Sequence, residues 1–250
     1  MDSPRFDDLA EIYEAMIDWP KRLANEEPFY RRLFGRIDAR RVLDAACGGG
    51  RHAAMFHSWG LQVEGADLSP GMLARARALY GEPAGLHWTE RSFSAAIEPR
   101  EPFDAVVCVG NSLALASDWA EVEQALACML AAIRRGGMLV VQVLNVWRLP
   151  EGPCQWQRIR RATFGSAEVL IAKGVHRSGS RGYVDLLVVD LDAVGRTHSE
   201  SIPFLGLEAA ELEQAAVRAG AKGLQFFGGY QDQPYDRAAS TDLVLIAQKS

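Results

Sequence analysis

Apolar and polar residues along this chain follow two periods, and the change from one to the other divides it. From residue 5 to 37 apolar positions recur at helical spacing: Leu9, Ile12, Tyr13, Met16 and Ile17 come before Pro20, and Phe29, Leu33 and Phe34 follow Pro28. That segment predicts helices broken at the two prolines. Val42 and Leu43 end a buried strand that runs into Gly48, Gly49 and Gly50. A helix from about Arg51 to Ser58 and a second strand over LQVEGAD follow. SPGML opens another helix, with Ser69 as N-cap and Pro70 in the first helical position. A short strand near Leu86 to Thr89, the continuous apolar run FDAVVCVG, a helix over roughly Trp119 to Ile133 ended by RRGG, and the strand MLVVQVLN complete an alternation of strand and helix.

After Asn145 the alternation stops. Between Trp147 and Phe204 the β-rich runs ATF, EVLIA, YVDLLVVDL and RTHSESIPF, separated by turn signals, predict an antiparallel insertion. LGLEAAELEQAAVRAG returns as a helix with Gly220 near its end, followed by strands over KGLQFFGG and TDLVLIAQK. The length of 250 residues fits one domain over 1–250, with N-terminal helices over 1–38 and a β-rich insertion over 147–205.

Composition narrows the partners. A net charge of −5 gives no support to a nucleic acid as main partner, and no apolar run reaches the roughly 20 residues of a membrane span. The acidic start MDSPRFDDLAE does not resemble a secretory signal. Cys47, Cys108, Cys128 and Cys154 are scattered without metal-ligand spacing, so reduced thiols in a cytoplasmic protein are expected and a metal is not. A small-molecule substrate is the expected partner, and association into a homo-oligomer stays open.

The chemistry concentrates at VLDAACGGGRHA, residues 42–53. Glycines at a strand-to-helix turn let backbone amides approach a ligand without Cβ interference. Gly48, Gly50 and Ala53 fit GxGxxA, and Asp67 ends the next strand where a doubly wound sheet would hold a ribose, so a dinucleotide site is one reading. Asp44 discriminates. A carboxylate just before the turn suits the ammonium and sulfonium of S-adenosylmethionine and would repel a pyrophosphate. A structural Asp capping its own turn is the bland alternative.

These segments resemble motifs I and II of the class I S-adenosylmethionine-dependent methyltransferases. The resemblance implies an α/β fold: a Rossmann-like, seven-stranded, mostly parallel sheet with helices on both faces, an N-terminal helical lid and an antiparallel β insertion after strand five. Its last strand slots in antiparallel beside the sixth. Asp44, Ala46, Gly48 and Gly50 match motif I, with Ala46 replacing the commoner first glycine. Asp67 matches the residue that takes both ribose hydroxyls, and Leu68 and Met72 match positions flanking the adenine. TERSF puts Ser92 where Asp or Asn is usual, beside Phe93 as a stacking face. CVGNSLALA is close to the CxGNS of glycine N-methyltransferase and related small-molecule N-methyltransferases. It sets Asn111 at the carboxyl end of strand four, where the transferred methyl should lie, with backbone carbonyls near Val109 beside it. Arg22 in DWPKR matches an arginine that reaches the cofactor's carboxylate. Tyr13 and Trp19 are aromatics suited to cover a sulfonium, with core packing as the alternative for both.

Departures from glycine N-methyltransferase fall on the substrate side. The His after its GNS is Leu or Ala here, and strand five ends in LNVWR. Arg148, Arg158, Arg160 and Arg161 could face an acidic substrate, although a run like RIRR usually forms a solvated strand edge. His176 and His198 are read as structural. The resemblance therefore implies methyl transfer from S-adenosyl-L-methionine, with S-adenosyl-L-homocysteine as product, to a small-molecule nucleophile, foremost an amine. Asn111 would orient the amine; Tyr13 would be a base if the acceptor were an oxygen. O-methylation, a nicotinamide-dependent oxidoreductase and a non-catalytic cofactor-binding protein are the alternatives.

Overall fold

The computed structural model describes residues 17–164, 167–192 and 197–250, which form two sheets. Helix α1 (Trp19–Arg36) leads into β1 (Arg41–Asp44), α2 (Arg51–Ser58), β2 (Gln62–Asp67), α3 (Pro70–Tyr80), β3 (Leu86–Glu90) and β4 (Phe103–Cys108). Then come α4 (Trp119–Ala131) and β5 (Ile133–Leu144). Four strands, β6 (Gln155–Phe164), β7 (Ala167–Ser178), β8 (Arg181–Asp190) and β9 (Thr197–Leu205), intervene before α5 (Ala209–Arg218), β10 (Ala221–Phe227) and β11 (Asp242–Lys249).

The main sheet has the order β10-β11-β5-β4-β1-β2-β3, and every neighbouring pair from β5 to β3 is parallel. The terminal strand β11 lies antiparallel between β5 and β10. Successive side chains project to opposite faces. Leu43, Val106, Leu139 and Leu245 therefore pack with Val122, Leu126 and Leu212 of α4 and α5 on one face. On the other, Val42, Val107, Val140 and Val244 pack with residues of α1, α2 and α3. Helices on both faces, as expected, leave the carboxyl ends of β1, β2 and β4 as the exit for loops that can carry chemistry.

Two local expectations are corrected. Pro28 does not break the first helix, which runs from Trp19 to Arg36 with Pro20 in its first turn. Losing one backbone hydrogen bond at Pro28 costs about 3 kcal/mol. Burying Phe29, Tyr30, Leu33 and Phe34 in the sheet-side core offsets it, at roughly 1.5–3 kcal/mol per side chain. This part of the N-terminal segment is thus packed core; Tyr13 and the preceding turns lie outside the described residues.

RRGG belongs to β5 and not to the preceding helix. The Ala132 carbonyl accepts from the Phe103 amide at 2.9 Å, which commits the chain to strand pairing at once. Asp104 then accepts from Arg134 at 2.5 Å and from the amides of Arg40 and Arg41. The register shifts between Phe103 and Ala105, and Gly136 takes φ +74° to absorb the shift.

The insertion is a four-stranded antiparallel sheet in sequential order, longer than its apolar runs indicate because the arginine-rich segment itself forms β6. Val169, Ile171 and Leu186 bury one face, with Val184, Val188 and Ile202 against them. No described helix is long and apolar enough to cross a membrane.

Candidate active site

The loop after β1 is tied to its neighbours strand by strand. Ala45 donates to the Val107 carbonyl at 2.8 Å and Cys47 to that of Ala66 at 2.9 Å, so the turn is suspended between β4 and β2. Gly48 (φ +52°) donates its amide to Asp67 Oδ2 at 2.7 Å, and Ser69 donates to Oδ1 at 2.9 Å. Asp67 thus fixes the glycine turn and the entrance to α3 together. Ser69 caps that helix by accepting from the Met72 amide at 3.1 Å.

The glycines differ in role. No atom lies within 4 Å of where a Cβ on Gly48 would sit, so this glycine faces an open cradle. A Cβ on Gly50 would lie 2.5 Å from the Trp88 ring, at φ +80°. Gly50→Ala is accordingly expected to destabilise the fold by about 2–4 kcal/mol through strain and overpacking, read as a lower urea midpoint with an unchanged slope.

Asp44 is wholly buried; the Ala46 and Ala53 amides lie against its carboxylate, and no side-chain donor among the described residues bonds either oxygen. Burial foremost, and the nearby Asp67 charge, push its carboxyl up to about 6 despite the opposing influence of His52 and of the Ala53 and Ala46 amides. A buried carboxylate without a partner is costly unless a cation or donor arrives to meet it. The open cradle at Gly48 and this buried charge without a side-chain partner together fit the methionine ammonium of S-adenosylmethionine.

Sequence reasoning missed the polar network above Asp44. Glu26, buried on α1, accepts from Arg22 Nε at 2.8 Å and lies 2.6 Å from His52 Nε2. Burial alone would raise the Glu26 carboxyl, but the His52 and Arg22 interactions outweigh it and hold it below its ordinary value. The Arg22 guanidinium also lies 5.2 Å from the Trp19 ring, which meets His52 edge-on. Only the i, i+4 spacing of Arg22 and Glu26 signals this pairing in the sequence. On the other side, Gln142 Oε1 accepts from the Gly110 amide and Gln142 Nε2 donates to Asp242, both at 2.7 Å. Burial pushes the Asp242 carboxyl up to about 6.

The remaining expected residues surround the same strand ends. Ala46 is half-buried in the turn, and Leu68 exposes 68% of its surface, which no packing explains. Met72 is buried under it. The Ser92 hydroxyl is engaged locally, 2.9 Å from the Ser94 hydroxyl, while Phe93 is partly buried against the core. The Val109 carbonyl accepts from the Ser112 hydroxyl at 2.9 Å. Asn111 follows β4 with φ +72°, a conformation asparagine tolerates, and its Oδ1 accepts from the Leu144 amide at 2.8 Å. Its amide oxygen therefore braces the exit of β5.

A sheet of this strand order, with a glycine turn after β1 and acidic residues ending β1 and β2, has the class I methyltransferase fold. Residues 42–137 match the methyltransferase domain family. It is 33% identical over 154 residues to a glycine/sarcosine N-methyltransferase of Parasynechococcus marenigrum, a match covering 58% of this chain and 52% of that one. The chain spans about half the length of the glycine/sarcosine N-methyltransferases it matches. A longer match, 28% identical over 232 residues, covers 89% of the chain and 86% of the dTDP-3-amino-3,6-dideoxy-alpha-D-glucopyranose N,N-dimethyltransferase of Streptomyces fradiae. The same fold occurs in an S-adenosylmethionine-bound amino pentose methyltransferase of Micromonospora echinaspora, with a TM-score of 0.72, 24% identity and coverage of 96% and 97% of the two chains.

Proposed function

We propose that this protein transfers methyl groups from S-adenosylmethionine to an amine of a small molecule, and that the amine is carried by a sugar. The observation that carries the cofactor assignment is the buried carboxylate of Asp44, which no side-chain donor meets, together with the open face of Gly48 in the same turn. The choice of acceptor rests on the Streptomyces fradiae amino-sugar enzyme, whose match extends over 232 residues, whereas the glycine enzyme's match ends after 154.

In this reading Asp44 receives the ammonium, and Arg22, oriented by Glu26, receives the carboxylate, with Trp19 alongside. Ala46, Gly48 and Gly50 shape the backbone cradle. Asp67 takes the ribose hydroxyls; Leu68, Met72 and Phe93 enclose the adenine; Ser92 offers its hydroxyl to the adenine edge. When bound, S-adenosylmethionine supplies an electrophilic methyl carbon on a sulfonium. The protein's own contribution is alignment and exclusion of water, effects worth roughly 7–11 kcal/mol. The Val109 carbonyl and the Asn111 carboxamide orient the incoming nitrogen, and Tyr13 is read as a further group on the acceptor side. We also assign the N-terminal turn of α1 and the described strands of the insertion to the walls of the acceptor pocket. A net charge of −5 favours a small molecule over a nucleic acid, and four unpaired cysteines favour the cytoplasm.

Methyl-deuterated S-adenosylmethionine offered with a nucleotide-linked amino sugar, glycine and a phenol tests this. Labelled product from the amino sugar alone is expected; product from the phenol alone would overturn the N-methyltransferase reading. Asn111→Gly keeps the left-handed backbone and removes the carboxamide. It is expected to lower kcat by about tenfold or more while S-adenosylhomocysteine affinity stays within about threefold.

A further inference from the structure

The insertion sheet brings together three side chains that methyl transfer does not use. Cys154 lies just before β6, His176 near the end of β7 and Asp185 in β8. In the register of the sheet His176 pairs with Tyr183, and Asp185 two residues on pairs with Gly174, so His176 and Asp185 project from one face. Gly174 also pairs with Trp156, and a Cβ at Gly174 would occupy the space filled by the Cys154 sulfur. The absent side chain lets the thiol reach the pair. Sγ, the imidazole nitrogen and a carboxylate oxygen all fall within 4.8 Å of one another.

His176 Nδ1 and Asp185 Oδ2 pair at 2.8 Å, and the Asp185 carboxylate also bonds the Cys154 thiol, so the three groups already converge on one another. The imidazole is held by stacking on Tyr183, with ring centroids 4.7 Å apart and planes inclined by 9°. Asp185 is held by the Ser201 hydroxyl. Orientation of ligating groups by such neighbours is characteristic of metal sites.

We propose that Cys154, His176 and Asp185 bind a zinc ion that ties the segment entering β6 to β7 and β8. One thiolate, one imidazole and one carboxylate form a ligand set suited to zinc and unsuited to the oxygen-seeking calcium and magnesium ions. Zinc lies about 2.0–2.3 Å from such ligands, so Nδ1 and Oδ2 need to separate by only about half an ångström to reach tetrahedral spacing. Water completes the fourth position. The proton displaced from the thiol on binding passes to solvent. Sequence spacing gave no hint of this site, because its ligands come from three separate strands or strand entrances.

The test uses the full chain, free of any affinity tag and stripped of metal by dialysis against a chelator. Zinc sulfate titrated against a chromophoric chelator should show one equivalent bound per chain. Cobalt(II) in its place should give thiolate charge-transfer absorption and the visible bands of a tetrahedral centre. Cys154→Ser and His176→Ala should each weaken zinc binding by roughly a hundredfold or more. Because either variant could disturb the sheet, alkylation of the wild-type protein provides a second reading. Zinc should slow modification of Cys154, resolved by peptide mass spectrometry, while leaving Cys128 unchanged. Uptake well below one equivalent, equal zinc affinity in Cys154→Ser, or a Cys154 alkylation rate indifferent to zinc would each overturn the assignment.

Discussion

Replacing Asp44 by asparagine is expected to stabilise the ligand-free protein and to weaken its hold on S-adenosylmethionine. The folded carboxyl is pushed up to about 6, above its ordinary value of 3.8, because burial disfavours its charge more than His52 and the Ala53 and Ala46 amides favour it. Between those values the folded chain keeps a proton that the unfolded chain has lost. Stability therefore falls as pH rises through this window, and the deficit is complete above about 6. Two pKa units and a fraction correspond to roughly 3 kcal/mol at neutral pH, which Asp44→Asn should recover because its side chain stays neutral. Urea unfolding at several pH values measures this: the variant's advantage should be small near pH 4 and grow towards pH 7. Asp242 titrates in the same range, so the difference between the two proteins, not either curve alone, isolates Asp44. Binding should move the other way. A charge-assisted hydrogen bond to the ammonium contributes about 1.5–3 kcal/mol, so calorimetry should show affinity for S-adenosylmethionine lower by roughly tenfold to a hundredfold. Wild-type affinity should also decline as pH falls below about 6, and the variant should be flat there. A variant that is less stable at neutral pH and binds unchanged would contradict this role.

The other large effect is expected at Asp67. Its two oxygens accept from the Gly48 and Ser69 amides, so Asp67→Ala strands both donors and unties the glycine turn from the start of α3. Under the proposed function it also strands the two ribose hydroxyls. Affinity for S-adenosylhomocysteine should fall by about 2–4 kcal/mol, on the order of thirtyfold to a thousandfold. Asp67→Asn keeps one acceptor and should fall between. An affinity for Asp67→Ala within about threefold of wild type would show that the ribose lies elsewhere.

Much of the main sheet was legible because its signals are local. Three glycines after an apolar strand, the Ser69–Pro70 pair at a helix start and the continuous run from Phe103 to Cys108 each carry their physical cause within a few residues. The failures share the opposite property. Pro28 reads as a breaker, and only the buried face of Phe29, Tyr30, Leu33 and Phe34 against the sheet overrides it. The RRGG segment reads as a helix end, but Asp104, distant in sequence, pins Arg134 into a strand. At the site, Asp44 and Asp67 were visible as acidic residues ending apolar strands, whereas Glu26, His52, Gln142 and Asp242 became a network only once α1 and β11 folded beside the glycine turn.

A crystal structure with S-adenosylhomocysteine tests the central claim most directly. The account predicts its ammonium within hydrogen-bond reach of Asp44, its ribose hydroxyls on Asp67, its adenine against Leu68, and its sulfur facing Asn111. A ligand held in this cleft with Asp44 still unpartnered, or one whose adenine lies away from Leu68, would contradict it.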